Sequence, residues 1–287
     1  TLEKIRELRT IRKAENEIER LKEIAKEVGM SPSTVSFALR GKRPGKRSLA
    51  PETVELIRKT AKSMGYRPNT LASSLRNNTT HMIGVLVPAL LGDFYEKILF
   101  GISQSIGPSY TPALAVSNYD GLCERSQLEV FISKQVDGLI SAFSGSKESI
   151  EIYRELSERY DTPIVLVDRG IPGLNLPVVR SDHYGQTHNA VITLQELGHK
   201  RITYISYAPE LECMELRRQG YIAAMRERNL EDYVKVISKP KTIKWSKEEL
   251  KQFAKEILDD WQTASPAATA LIIHNDWLAY EVLAECR

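Results

Sequence analysis

Between Met82 and Ile273 short apolar runs alternate with amphipathic stretches, and no other feature of the 287-residue chain restricts its fold as much. The runs are Met82–Val87, Ala113–Ser117, Gly138–Ala142, Ile164–Val167, Ile202–Ser206, Val234–Ser238 and Ala270–Ile273. Helical patterns, such as Tyr95–Ile106 and Thr187–Leu197, fall between them. Strands separated by helix-length crossovers predict an α/β body of parallel sheets. In open parallel sheets a ligand sits beyond the carboxyl ends of the strands. The candidate site is therefore Pro88 to Tyr95, Asp168 with Arg169, Tyr207 onward, and His274 to Asp276.

The first eighty residues follow a different period. Leu21, Ile24, Ala25 and Val28 recur at helical spacing, and Gly29 stops that helix. Ser31 is a good N-cap and Pro32 suits the first helical position, so a second helix starts at once through Val35, Ala38 and Leu39 to Gly41. Two short helices on a tight glycine turn read as a helix-turn-helix, a pattern that many small bundles also contain. A third helix is predicted from Pro51, with Val54, Ile57, Ala61 and Met64 on one face and Gly65 as its stop. Beyond Pro68 and Asn69, the segment Thr70 to Arg76 has little apolar surface and would be marginal as an isolated helix. It reads as a hinge that orders on binding, or as a plain linker.

Charge separates the same two parts. Residues 1–81 hold 18 of the 40 Lys/Arg but only 9 of the 37 Asp/Glu, leaving +9 on the head and −6 on the remainder. A basic head on an acidic body points to a polyanion bound at one end, against the alternative of ordinary solvated helices. No apolar run approaches the length of a membrane span, and no secretory leader pattern opens the chain. Cys123, Cys213 and Cys286 are isolated and odd in number, which fits reduced thiols and a cytoplasmic location.

The run LKEIAKEVGMSPSTVSFALRG, then MGYRPNTLASSLR, then IGVLVP, resembles the lactose/galactose repressor (LacI/GalR) family of bacterial transcription factors. VDGLI, PIVLVDR, LGHKRI, RRQGY and HND continue the resemblance in family order. It implies an all-α helix-turn-helix head and hinge helix, followed by a periplasmic-binding-protein-like body of two Rossmann-like subdomains. In domain terms it implies a DNA-binding domain over 20–67, a hinge over 68–80 and an effector domain over 81–287, while Leu2, Ile5, Leu8 and Ile11, recurring every third residue, predict a helical extension over 1–19. The implied partners are double-stranded operator DNA, a sugar-like or nucleobase-like effector, and a second copy of the chain; no cofactor is implied. Carried over by position, the DNA-contacting residues are Ser31, Pro32, Ser33, Thr34, Ser36, Phe37 and Arg40 in the head, with Asn69, Thr70, Ala72, Ser73, Leu75 and Arg76 in the hinge. Leu75 takes the place of the wedge that the family inserts between base pairs of the minor groove, and Ala72 that of the small residue facing the partner hinge. Phe94, Tyr95, Asp168, Arg217 and Asn275 match effector-binding positions, with Arg218 as the alternative to Arg217.

The departures carry information too. Phe37 stands where many members have an arginine, so a bidentate guanine contact gives way to an apolar one, for instance with a thymine methyl, unless Phe37 is a core aromatic. Gly92 and Asp93 replace the usual Asn-Pro before the paired aromatics. Residues 1–19 lie outside the family pattern, and the chain ends inside the Asn-Asp helix, which reads as a fragment with an incomplete second subdomain. The loop GKRPGKRS spaces its glycines wrongly for a phosphate-binding Walker loop, and its Lys42, Arg43, Lys46 and Arg47 either touch DNA phosphates or stay solvated.

Enzyme readings find no foothold: there is no Gly-x-Ser-x-Gly elbow, no His-Glu-x-x-His and no Cys/His cluster with metal spacing. His183 and His188 stand five apart and do not share a helix face. A solute-binding protein would need no basic head, and an architectural DNA-binding protein no clefted body. Only a regulator uses both halves.

Overall fold

The computed structural model describes residues 18–40, 49–66, 79–90, 93–207, 211–239, 247–263 and 267–286. The chain divides into two compact units between Thr80 and His81.

In the first unit α1 (18–27) ends where Gly29, at φ 63°, turns the chain back so that the Met30 N–H reaches the Ala25 carbonyl at 2.9 Å. Ser31 then accepts from the Thr34 N–H through its hydroxyl at 3.2 Å and opens α2 (Pro32–Arg40). Helix α3 (Pro51–Ser63) begins with proline, where the missing N–H is one the helix would leave unbonded anyway. Ile24, Val35 and Ile57, one from each helix, are fully buried and meet with Leu21, Ala25, Ala38, Ala61 and Tyr66. Each large side chain so buried contributes roughly 1.5–3 kcal/mol. Met64, expected on this face, is 42% exposed because the helix has already stopped and Met64 is its C-cap.

The second unit holds two parallel sheets. The first contains β1 (Met82–Val87), β2 (Thr111–Val116), β3 (Gly138–Ser141), β4 (Ile164–Val167) and β5 (Val178–Val179) in the order β2-β1-β3-β4-β5. Register is set by pairs such as Val85↔Leu114 and Val85↔Ile140. Helices α4 (Asp93–Ser105), α5 (Gly121–Lys134) and α6 (Ile150–Glu158) cross between these strands. Leu128 and Phe131 of α5 and Ile152, Tyr153 and Leu156 of α6 cluster with Leu86, Leu139, Ile164 and Leu166 of the strands. Tyr95 of α4 forms a separate cluster with Val87 and Ala142. The charged Glu124 is fully buried, and four donors satisfy it. Ser144 N–H (3.0 Å) and Tyr153 hydroxyl (2.9 Å) meet one oxygen, the Ser144 and Ser149 hydroxyls (both 2.5 Å) the other. This carboxylate ties α5 to the loop after β3 and to α6.

The second sheet has β6 (Ile202–Tyr207), β7 (Lys235–Lys239) and β8 (Ala270–Ile273) in the order β7-β6-β8. Val191 of α7 (His183–Glu196) and Tyr221, Ala224 and Met225 of α8 (Glu212–Glu227) cluster with Ile202 and Tyr204. Phe253, Ala254, Ile257 and Leu258 of α9 (Lys247–Thr263) cluster with Leu278 and Val282 of α10 (Asp276–Glu285) around Ile205. Helices α7 and α8 approach closely at Gly220, where a Cβ would sit 2.3 Å from the Tyr184 carbonyl oxygen.

The architecture is the α/β body expected from the alternation, with one strand more. Val178–Val179 leaves no mark in the sequence because two residues are too few to show a period. Each sheet also has a switch point: successive strands flank β1 on opposite sides, as they do β6. At such a point the following loops separate and open a crevice at the carboxyl ends.

Candidate functional site

The loops at those strand ends bring polar side chains from both sheets together. Asp168 follows β4 with φ 72°, a left-handed backbone conformation that costs energy at a residue with a Cβ. Its side chain is buried, and one carboxylate oxygen takes bonds from Arg169 Nε (2.9 Å) and Nη2 (2.6 Å) and from the Tyr95 hydroxyl (3.1 Å). Arg169 also donates to the Tyr95 hydroxyl at 2.8 Å, closing a three-residue ring of bonds. Burial pushes the Tyr95 pKa well up, so the phenol stays protonated and donates. Burial opposes the charge of Arg169, but Tyr95 and Asp168 outweigh it and hold the guanidinium protonated.

His183, the first residue of α7, links this ring to the second sheet. Its Nε2 lies 3.1 Å from the Asp168 carbonyl oxygen and its Nδ1 3.3 Å from Arg217 Nη2. One tautomer fits both contacts, with the proton on Nε2 donated to the carbonyl and Nδ1 accepting from arginine. Burial lowers the His183 pKa, the Asp168 carbonyl opposes this, and the Arg217 charge adds to it, so the imidazole is neutral. Arg217, on α8, also donates from Nη1 to the His274 carbonyl at 2.6 Å. The next residue, Asn275, caps α10 by accepting from the Leu278 N–H at 3.0 Å and donates from Nδ2 to the Tyr207 hydroxyl at 3.0 Å.

Three of the five expected effector residues, Tyr95, Asp168 and Arg217, thus stand along one hydrogen-bonded path, and a fourth, Asn275, follows in the chain the carbonyl at its end. Phe94 does not join it: half exposed, it contacts Tyr95 edge to face at 5.0 Å between ring centroids. Arg218, the alternative to Arg217, is held by its own helix through Glu215 at 2.7 and 2.6 Å. Gly92, the expected departure at the rim, lies outside the described residues.

Sequence reasoning places Arg169 at the site without a role and assigns none to His183 or Glu212. Glu212 opens α8 and accepts from the Gly170 N–H (2.5 Å) and from Arg180 (2.5 Å), which follows β5. Burial disfavours its charge, but these two bonds outweigh it and lower its pKa. Strand-end position finds Arg169; the partners of His183 and Glu212 are too distant in sequence to leave a signal.

In the head, Ser31, Pro32 and Ser33 at the start of α2 are exposed, and Thr34, Ser36 and Phe37 are half-buried. Ser31 shares its hydroxyl with those of Ser33 and Thr34, both at 2.8 Å. Among the described residues Phe37 does not join the apolar cluster that unites the three helices. Arg40 closes α2. The hinge residues Asn69, Thr70, Ala72, Ser73, Leu75 and Arg76, and the basic residues Lys42, Arg43, Lys46 and Arg47, lie outside the described residues. Among the described residues no His, Cys, Asp and Glu side chains group as a metal site, and no helix is long and apolar enough to cross a membrane.

Residues 20–69 match the family of bacterial regulatory proteins of the LacI type, and residues 80–279 match the periplasmic binding proteins and sugar-binding domain of that family. The transcriptional repressor CytR of Escherichia coli K12 is 29% identical over 211 residues, covering 72% of this chain and 59% of that protein. The chain therefore spans about three fifths of the length of that relative. Among solved structures, the regulator CcpA of Lactococcus lactis is similar at 27% identity and a TM-score of 0.58, with 71% of each chain covered. The lac repressor dimer bound to operator shares the fold, with a TM-score of 0.69 at 18% identity over 91% of this chain and 75% of that one. With both of its units matched in order, the chain belongs to the LacI family of bacterial regulatory proteins, a family of regulators and not of enzymes.

Proposed function

We propose that the chain is a sequence-specific DNA-binding regulator, a cytoplasmic repressor that acts as a homodimer and whose operator affinity follows a sugar-like or nucleobase-like effector. The observation that carries this reading is the coexistence of an exposed helix-turn-helix edge and a clefted double-sheet body in one chain. Residues 20–67 form the DNA-binding domain and 68–80 the hinge, with 1–19 an extension ahead of them and 81–287 the effector domain. Ser31, Pro32, Ser33, Thr34, Ser36, Phe37 and Arg40 face the major groove. Asn69, Thr70, Ala72, Ser73, Leu75 and Arg76 enter the minor groove, where Leu75 trades unstacking of a base step for a bent duplex. Tyr95, Asp168, Arg217 and Asn275 contact the effector, and Phe94 covers it from the rim. The repressor named CytR and the operator-bound lac repressor support this assignment by family.

An effector shifts operator affinity only through contacts that differ between the two states of the protein. The test is a titration of a selected duplex in the presence of a panel of sugars, sugar derivatives and nucleosides. At least one compound is expected to change the affinity by about fivefold or more, the lower end of typical coupling. A panel without effect on binding would remove the effector half of the proposal and leave the DNA-binding half.

A further inference from the structure

Three of the four arginines around this site pair with carboxylates among the described residues. Arg169 is paired with Asp168, Arg180 with Glu212 and Arg218 with Glu215. Arg217 breaks this pattern. Its bonds go to a backbone carbonyl and to an imidazole nitrogen, both uncharged. A guanidinium carries five N–H donors, so three of them have no acceptor among the described residues. His183 and His274, the residues that supply these acceptors, cannot serve as counter-charges, since a neutral imidazole carries none.

A second observation lies at the same place. His274 is 6% exposed, and neither of its ring nitrogens has a hydrogen-bond partner among the described residues. Its ring meets that of Tyr207 edge to face, with centroids 4.0 Å apart. A neutral imidazole has one N–H to give, and a buried donor left unmatched is unusual enough to require a reason. Here the donor sits on the residue whose carbonyl already holds the uncompensated arginine. A ligand that displaces water from this wall would strand the Arg217 charge unless it brought a charge of its own. A carboxylate or phosphate does so, with bidentate geometry that matches the guanidinium. Across His183, Asp168 supplies the complementary chemistry. Among the described residues all three bonds to its carboxylate fall on one oxygen, and the other lies 3.8 Å from His183 Nε2. That oxygen can accept from a hydroxyl.

We propose that the cleft selects a small hydroxylated anion, its carboxylate or phosphate held by Arg217 and the His274 N–H and a hydroxyl held by Asp168. This rests on the reading of the cleft as an effector site, and narrows the effector from sugar-like compounds in general to sugar acids or sugar phosphates.

The experiment compares matched pairs at constant ionic strength by calorimetry and thermal shift: gluconate and glucose 6-phosphate against glucose, and inorganic phosphate as the minimal probe. The carboxylate and phosphate arms separate the two sources of charge. The anionic member of a pair should bind at least tenfold more tightly than glucose, and phosphate should raise the melting temperature saturably. Arg217→Gln should erase the preference, and Arg217→Lys should keep part of it. If Arg217→Gln does not fold, as judged by circular dichroism, His274→Phe, which keeps a ring and removes the N–H, serves in its place and should narrow the preference for the anions over glucose. Equal or tighter binding of glucose would overturn the proposal, as would a phosphate shift that survives Arg217→Gln, or no response to any of the anions. Glucose binding that depends on Arg217 would overturn the anion inference alone, since an effector site would still be present.

Discussion

Replacing His274 with asparagine should make the body less sensitive to mild acid. The imidazole is buried, and burial, with the Arg217 charge second, pushes its pKa down from 6.5 to about 3. Between those two values the unfolded chain binds a proton that the folded chain refuses. Stability is therefore full above pH 6.5 and falls as the pH drops towards 3. A tenfold difference in proton affinity corresponds to about 1.36 kcal/mol, so moving from pH 7 to pH 5 removes roughly 2 kcal/mol through this one group. That is a large part of the ~5–15 kcal/mol typical of a domain. Burial also lowers the His183 pKa, so His183 adds a loss of the same sign, but that contribution is common to both proteins and cancels in the comparison. The assay is urea unfolding at pH 7 and pH 5 followed by tryptophan fluorescence. All three tryptophans, Trp245, Trp261 and Trp277, belong to the second unit, so the signal does not mix in the head. Wild type should lose about 2 kcal/mol more than His274→Asn over this interval. An equal loss in both proteins would refute the reasoning and place a protonatable, hydrated imidazole at this position.

Two further outcomes follow from other parts of the molecule. Leu75→Ala should leave both units folded by circular dichroism yet weaken specific binding and reduce duplex bending in a gel-based assay, by an amount on the order of the few kcal/mol that unstacking a base step costs. Glu124→Ala takes the acceptor from the Ser144 N–H and hydroxyl, while Tyr153 and Ser149 keep Ser141 and the Ser146 carbonyl as partners, and it should destabilise the body by about 3 kcal/mol, at the upper end of the cost of an unmatched buried group, whereas Glu124→Gln keeps one acceptor and should cost less; denaturant midpoints at unchanged m-value check the pair.

Local chemistry was the legible part of this sequence. Gly29, Ser31 and Pro32 act within a few residues of where they stand, and the structure uses each of them as their types suggest. Met82–Val87, Ile164–Val167 and Ala270–Ile273 appear as strands with those bounds because strands of a helix-covered parallel sheet read as nearly continuous apolar runs. Strand β2 begins two residues earlier than its apolar run, at Thr111, since pairing with Met82 and not hydropathy decides where a ladder starts. The site was legible as a place more than as a network. Strand-end reasoning located Asp168, Arg169, His274 and Asn275, but Phe94 and Tyr95 look alike in sequence and only the packing of α4 separates them, burying one and exposing the other. The spacing of His183 from His188 argues against a metal pair and says nothing more about either residue. The bonds of His183 to Asp168 and Arg217 join residues 15 and 34 positions away, and no local pattern encodes such a join.

Selection from a pool of random duplexes tests the central claim most directly. A chain that reads DNA through a two-fold pair of helix-turn-helix heads should enrich a near-palindromic site. Its affinity for that site should fall steeply between about 50 and 200 mM salt, as phosphate-dominated binding does. Failure to enrich any sequence, or enrichment with affinity indifferent to salt, would contradict the account.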